Sequence, residues 1–237
     1  MSFFNDYMRE GRGVSKGIDT RPRIIVFFDI FFRKFWKLVV INLMYIIFCI
    51  PLITIGPATA GITKILRNYA REEHAFVWAD FWETFKQNFG QALAVFVLDI
   101  IAFILIFFDG YIYMMIAGNP WLRIISLAVI MITATIILFM NYYIFPMMVT
   151  FKLTFKQLIK NAFIFAWVGF WRNLLITLIL ASYTIFAVIY FMSFGPIFVL
   201  LLYFSLSSLI INFGVYPLIK RHMIDGYDPN TGEKIED

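Results

Sequence analysis

The sequence has one cysteine, two histidines and few charges for its length. Cys49 alone cannot form an intrachain disulfide, and it excludes a multi-cysteine zinc site. His74 and His222 stand far apart, with no His-x-x-His spacing, cysteine cluster or carboxylate pair around either, so no metal centre is expected. No serine sits in a nucleophile elbow. No glycine leads into Gly-Lys-Ser/Thr, so the chain carries no P-loop and no ATPase of its own. Charged residues make up 15% of the chain, against about 25% in soluble domains, whose surface must face water.

Apolar residues fill that gap: 62% of the chain is hydrophobic and 20% aromatic, with 29 phenylalanines among 237 residues. One aqueous core of this size would hardly hide them; a bilayer removes the need. The net charge of +5 comes from basic residues flanking apolar runs. They form no extended stripe with exposed aromatics, so they mark topology rather than nucleic-acid binding.

Gaps between charges mark the spans. Leu38–Thr63, Ile124–Phe151 and Asn173–Ile219 carry no charge, and Gln87–Leu122 carries only Asp99 and Asp109. A hydrocarbon core takes about 20 helical residues, so the longest runs must divide. Gly118-Asn119-Pro120 and Ser193-Phe194-Gly195-Pro196 supply the turn signals. Four spans follow, near 91–112, 121–146, 173–192 and 197–217. Phe35–Cys49 reads as a further span, interrupted by Pro51, Gly56 and Pro57. Before it, residues 24–37 alternate phenylalanines with charges, as an interfacial amphipathic helix does. Ala58-Thr59-Ala60 resembles a signal-peptidase site, but the polar region before the apolar run is far longer than a usual n-region.

Lys and Arg gather in residues 1–37, 58–90, 151–172 and the tail, while Arg123 alone lies in the other connections. A five-span chain would put either residues 1–37 or the other three groups outside. If Pro51–Leu66 turns back, all but Arg123 lie inside, as the positive-inside rule requires. The expected fold is therefore an all-α, polytopic transmembrane bundle of about six crossings, the second short or re-entrant, with both termini cytoplasmic. It forms a single membrane domain over 1–220. Within it lie a polar arm (1–23), a broken first hairpin (24–66) and two hairpins with leading amphipathic helices (76–150 and 154–220). A polar tail (221–237) follows.

Two segments share a template. Asp80-Phe-Trp-Glu-Thr-Phe-Lys-Gln-Asn-Phe89 and Thr154-Phe-Lys-Gln-Leu-Ile-Lys-Asn-Ala-Phe163 each open on a cap residue with Glu or Gln three positions later, the pattern of a capping box. Phe81, Phe85 and Phe89 fall on one helical face, as do Phe155, Ile159 and Phe163. These six are candidates for docking a partner. Aromatics and a cation precede three apolar runs, and Asn141 and Asn212 each stand five residues before a proline, Pro146 and Pro217.

At Lys37-Leu-Val-Val-Ile-Asn-Leu, Cys49-Ile-Pro-Leu-Ile-Thr-Ile-Gly-Pro-Ala-Thr59, Arg71-Glu-Glu and Asp80–Phe89, the chain resembles the YesL-like family of bacterial membrane proteins. The likeness runs more weakly through Phe145-Pro146, Leu158–Ala162 and the basic tail. That resemblance implies a multi-span protein of a Gram-positive cell membrane, often encoded near carbohydrate ABC importers and glycan-degrading enzymes. It implies no catalytic or binding residues.

An intramembrane carboxylate is expensive, by about 2.5–3.5 kcal/mol on insertion scales, and so faces protein or water. Asp99 is thus either a proton- or cation-coupling group or a hydrogen-bonded packing group facing Asn42, Asn141 or Asn212. Gly56-Pro57-Ala58-Thr59, with Pro51, reads as a helix break, which exposes backbone to substrate in transporters or serves as a structural turn. The leading expectation is a non-catalytic membrane subunit or accessory factor of a carbohydrate import system, in contact with the lipid bilayer and with ABC permease or ATPase subunits. The rival is an autonomous small-solute transporter using Asp99 and the broken hairpin. An intramembrane enzyme lacks the paired acid and base it would need. No cofactor is expected.

Overall fold

A computed structural model describes residues 22–115, 120–189 and 195–224. The polar arm before residue 22, the tail after 224, Gly118-Asn119 and Ser193-Phe194 lie outside the described residues. The rest is helical: α1 (Arg23–Arg33), α2 (Phe35–Cys49), α3 (Ile55–Ala70), α4 (Val77–Gln87), α5 (Phe89–Met115), α6 (Pro120–Met148), α7 (Phe155–Val168), α8 (Phe170–Ile189), α9 (Gly195–Phe198) and α10 (Phe204–Ile219). A π-helical turn, Val199–Tyr203, joins α9 to α10, and a second, Lys220–Ile224, follows α10.

Among the described residues, four stretches are long and apolar enough to cross a membrane: Phe89–Tyr113, Trp121–Met148, Phe170–Ile189 and Gly195–Ile224. They contain the spans read at 91–112, 121–146 and 197–217, and cover 173–189 of the span read at 173–192, whose last residues lie outside the described ones. Helix α2 is apolar but has only 15 residues. Helix α3 has 16 residues, a reach of about 24 Å at about 1.5 Å per residue, short of a hydrocarbon core of about 30 Å.

Two hydrophobic clusters build the interior. One gathers α1–α4 around Leu209 and Phe213; the other gathers residues of α5–α8 around Val215 and Ile219. Both therefore share α10, whose successive faces serve each cluster. The far halves of α5 and α6 turn their large apolar side chains outward, among them Phe103, Leu105, Phe107, Ile125 and Met131. In a bilayer such a surface meets acyl chains at no cost.

The basic segments converge. Arg67 of α3 donates to the Val149 carbonyl just after α6, and Arg71 lies over Tyr216 of α10. Gln91 of α5 donates to the Leu153 carbonyl before α7, and Arg23 reaches the Phe213 carbonyl. Residues 67–71, 91, 149–153 and 213–216, with Arg23, thus share one end of the bundle. Arg123 begins the opposite end, at the start of α6.

Two local expectations need correction. The helix break lies before Gly56-Pro57-Ala58-Thr59, in the turn and 3-10 segment through Leu52–Thr54. Gly56, Pro57, Ala58 and Thr59 fall within the first turns of α3. Pro57 is the third residue of that helix, where its missing N–H has no helical partner to lose. The capping box expected at Asp80 is likewise displaced. Helix α4 starts at Val77, and the Asp80 carboxylate accepts from the Phe76 N–H. Asp80 is thus the residue reaching back to the cap, not the cap itself. At Thr154 the full box forms: its hydroxyl accepts from the Gln157 N–H while the Gln157 side chain accepts from the Thr154 N–H.

Candidate functional site

Polar side chains inside an apolar bundle are costly unless paired, so their partners show what the interior is built to do. Asn42 of α2 is fully buried and makes four hydrogen bonds to the backbone of the last long helix. Its amide nitrogen donates to the carbonyls of Val199 and Leu200, at 3.0 and 2.7 Å. Its oxygen accepts from the N–H groups of Phe204 and Ser205, at 2.8 and 3.0 Å. The π turn widens the helix, and the Asn42 amide sits across the widened rung as a substitute peptide group. The adjoining α8 surface adds hydroxyl contacts: Tyr183 with Ser207, and Thr184 with Tyr203.

Asp99, on α5, accepts from the Asn141 amide of α6 at 2.9 Å, and the same nitrogen also reaches the Ile137 carbonyl. Of the three amides considered as neighbours of Asp99, Asn141 is therefore the one that meets it. Both line a mostly apolar cavity of about 290 Å³ between α5, α6 and Ile159 of α7. Asn212 donates to the Ser208 carbonyl one turn back, while its buried side-chain oxygen has no partner among the described residues. Thr59 donates to the Ile55 carbonyl and meets the Tyr45 hydroxyl. Pro51 is exposed at the turn. Gly56 permits close packing, because a Cβ there would overlap the Ala92 carbonyl of α5.

Sequence pattern does not single out two further ties. Tyr143 donates to the Asn173 side chain at 2.7 Å, and Asn173 in turn donates to the Ala166 carbonyl at 3.0 Å. Arg67, 7% exposed, directs its guanidinium to the Val149 carbonyl, Thr150 and Asn68. A cation there also complements the carbonyl end of α6. Both residues stand at the edge of an apolar run, where an amide or a cation is ordinary.

The two aromatic faces are used differently. Phe81 and Phe85 are buried, closed over Phe48 of α2, with ring centroids 4.9 and 5.4 Å away. Phe81 also fills the space that a side chain at Gly61 would take. Phe89 is half-buried and stacks edge-on to Phe85. On α7, Phe155 and Phe163 are exposed, and with Ile159, Leu98 and Met140 they line an open apolar groove. The α4 face therefore belongs to the chain's own core, while the α7 face is free among the described residues.

Fold and interior together define an all-α protein of membrane type, with four stretches among the described residues able to cross a bilayer. A family model described as "Protein of unknown function, DUF624" matches residues 38–110. It runs from α2 through most of α5 and includes Asn42, Gly56, Phe85 and Asp99. No curated protein and no solved structure gives a significant match.

Proposed function

We propose that the protein is a non-catalytic integral membrane subunit or accessory factor of a carbohydrate import system, standing in the cell membrane beside ABC permease or ATPase subunits. The observation that carries the non-catalytic part is the use of the interior polar groups. Asn42, Asn141, Asn173 and Arg67 each bond backbone carbonyls or a neighbouring side chain across helices. Side chains so engaged hold helices in register. The link to sugar import rests on the resemblance to YesL-like proteins over residues that the family match overlaps. The exposed α7 groove and the apolar outer halves of α5 and α6 offer surface for another membrane protein.

Affinity purification of the tagged protein from its own membranes, in mild detergent, tests the reading. Permease or ATPase subunits should co-purify in stable ratio. Recovery of the chain without any importer subunit, in cells growing on an oligosaccharide, defeats the proposal.

One observation favours a second reading, that of a solute transporter: Asp99 and Asn141 face the same cavity between α5 and α6. Under that reading Asp99→Asn abolishes uptake while expression persists. Under the leading reading, uptake follows complex formation and survives the substitution.

A further inference from the structure

At the basic end of the bundle, Arg23 of α1 and Arg71, just past the end of α3, flank Tyr216 of α10. Arg71 and Arg23 place their guanidinium carbons 5.5 and 5.9 Å from the Tyr216 ring centroid. Arg67 stands one turn before Arg71 on α3, with its own donors engaged by neutral acceptors. Arg172, at the start of α8, lies close enough to Arg23 for their charges to oppose each other. Burial first, and that repulsion after it, push the Arg23 guanidinium below its usual value, with Tyr216 pulling the other way.

Among the described residues, one carboxylate pairs directly with this charge. Glu73 pairs with Arg71 Nη2 at 2.9 Å, and Glu73 and Asp80 act on Arg67 only through space. Two donors stay unmet: Arg71 Nε and Arg172 Nη1 are buried without a hydrogen-bond partner among the described residues. A buried donor on a charged group left unpaired is among the costlier defects a protein can hold. A guanidinium fork matches the paired oxygens of a phosphoryl group, which would satisfy both donors and neutralise the cluster. Neighbouring chemistry suits the headgroup zone as well, because aromatics and cations crowd this end.

We infer that Arg23 and Arg71, set around Tyr216, form a binding site for a phosphoryl group together with Arg172 beside Arg23, with Arg67 fixing the α3 end that carries Arg71. Such a group arrives either on an anionic phospholipid or on a free phosphate ester. In both cases the same nitrogens donate, and the same charges are balanced.

The experiment uses the full chain in detergent. Thermal unfolding is followed with added dioleoyl-phosphatidylglycerol, with dioleoyl-phosphatidylcholine, and with inorganic phosphate. Stabilisation by phosphatidylglycerol alone assigns the site to a lipid headgroup. Equal stabilisation by inorganic phosphate assigns it to a free phosphate. Arg172→Gln should weaken the stabilising ligand about tenfold by removing one charge-assisted contact, and Arg172→Lys should recover only part of that. The paired variant Lys156→Gln, Lys160→Gln removes exposed charge from α7 and should leave binding unchanged. The proposal is overturned if neither anion stabilises the wild type, or if the lysine variant loses as much binding as Arg172→Gln. If Arg172→Gln fails to fold, the wild-type comparison of the three additives, with the lysine variant, decides alone.

Discussion

Asn42 bonds four backbone groups of one widened helical turn. Replacing it by alanine leaves two carbonyls and two N–H groups facing a void, unless the turn rewinds to a regular helix and shifts everything after it. Each buried polar group left unpaired costs about 1–3 kcal/mol, so Asn42→Ala should lower stability by about 3 kcal/mol or more. Thermal unfolding in detergent checks this; an unchanged midpoint refutes the role given to Asn42. Asp99 poses the reverse case. Asparagine keeps an oxygen for the Asn141 amide and removes a charge that apolar surroundings disfavour. Asp99→Asn should therefore insert and fold at least as well as wild type, and loss of the protein from the membrane would show that the carboxylate itself is needed.

Helices α4 and α7 show how far a shared pattern carries. Both carry an aromatic face at helical spacing and lead into a long apolar helix. Tertiary packing then separates them: the short α2 ends on Phe48, which α4 covers, whereas nothing described covers Phe163 of α7. A buried Phe→Ala truncation costs about 3–5 kcal/mol, so Phe85→Ala should be strongly destabilised. Phe163→Ala should fold normally, and if the α7 groove meets a partner it should lose that partner on detergent pull-down. Equal destabilisation of the two variants would contradict the packing. The caps differ too. Thr154→Ala removes the hydroxyl half of the box that starts α7 and leaves the Gln157 bond to the backbone N–H; it should cost about 1 kcal/mol, read as a lower unfolding midpoint.

Across the whole molecule, the gathering of basic segments at one end makes topology testable. By the positive-inside rule, that end is expected to face the cytoplasm. In a Cys49→Ser background, cysteines placed at positions 74 and 157 should resist an impermeant thiol reagent in intact cells. A cysteine at position 119, in the opposite connection, should react. Labelling at 74 or 157 would invert the assignment. Helix α3 fits this arrangement as a short, buried return. Its start packs on Ala92 of α5 and its end on Val149 after α6.

By itself the sequence determined the class and the long elements. Spans are legible because a hydrocarbon core tolerates few charges: the charge-poor stretches after Gln87 give the four long helices, while Leu38–Thr63 falls into the short α2 and the start of α3. The Thr154 cap is legible for the same kind of reason, since a capping box closes within four residues. What tertiary structure alone decided is which polar groups meet. Asn42 lies 157 residues from Val199 and Asp99 lies 42 from Asn141, and no local pattern encodes such pairings. They depend on how the helices pack, as do the burial of Phe85 and the placing of Arg23 and Arg71 on one tyrosine.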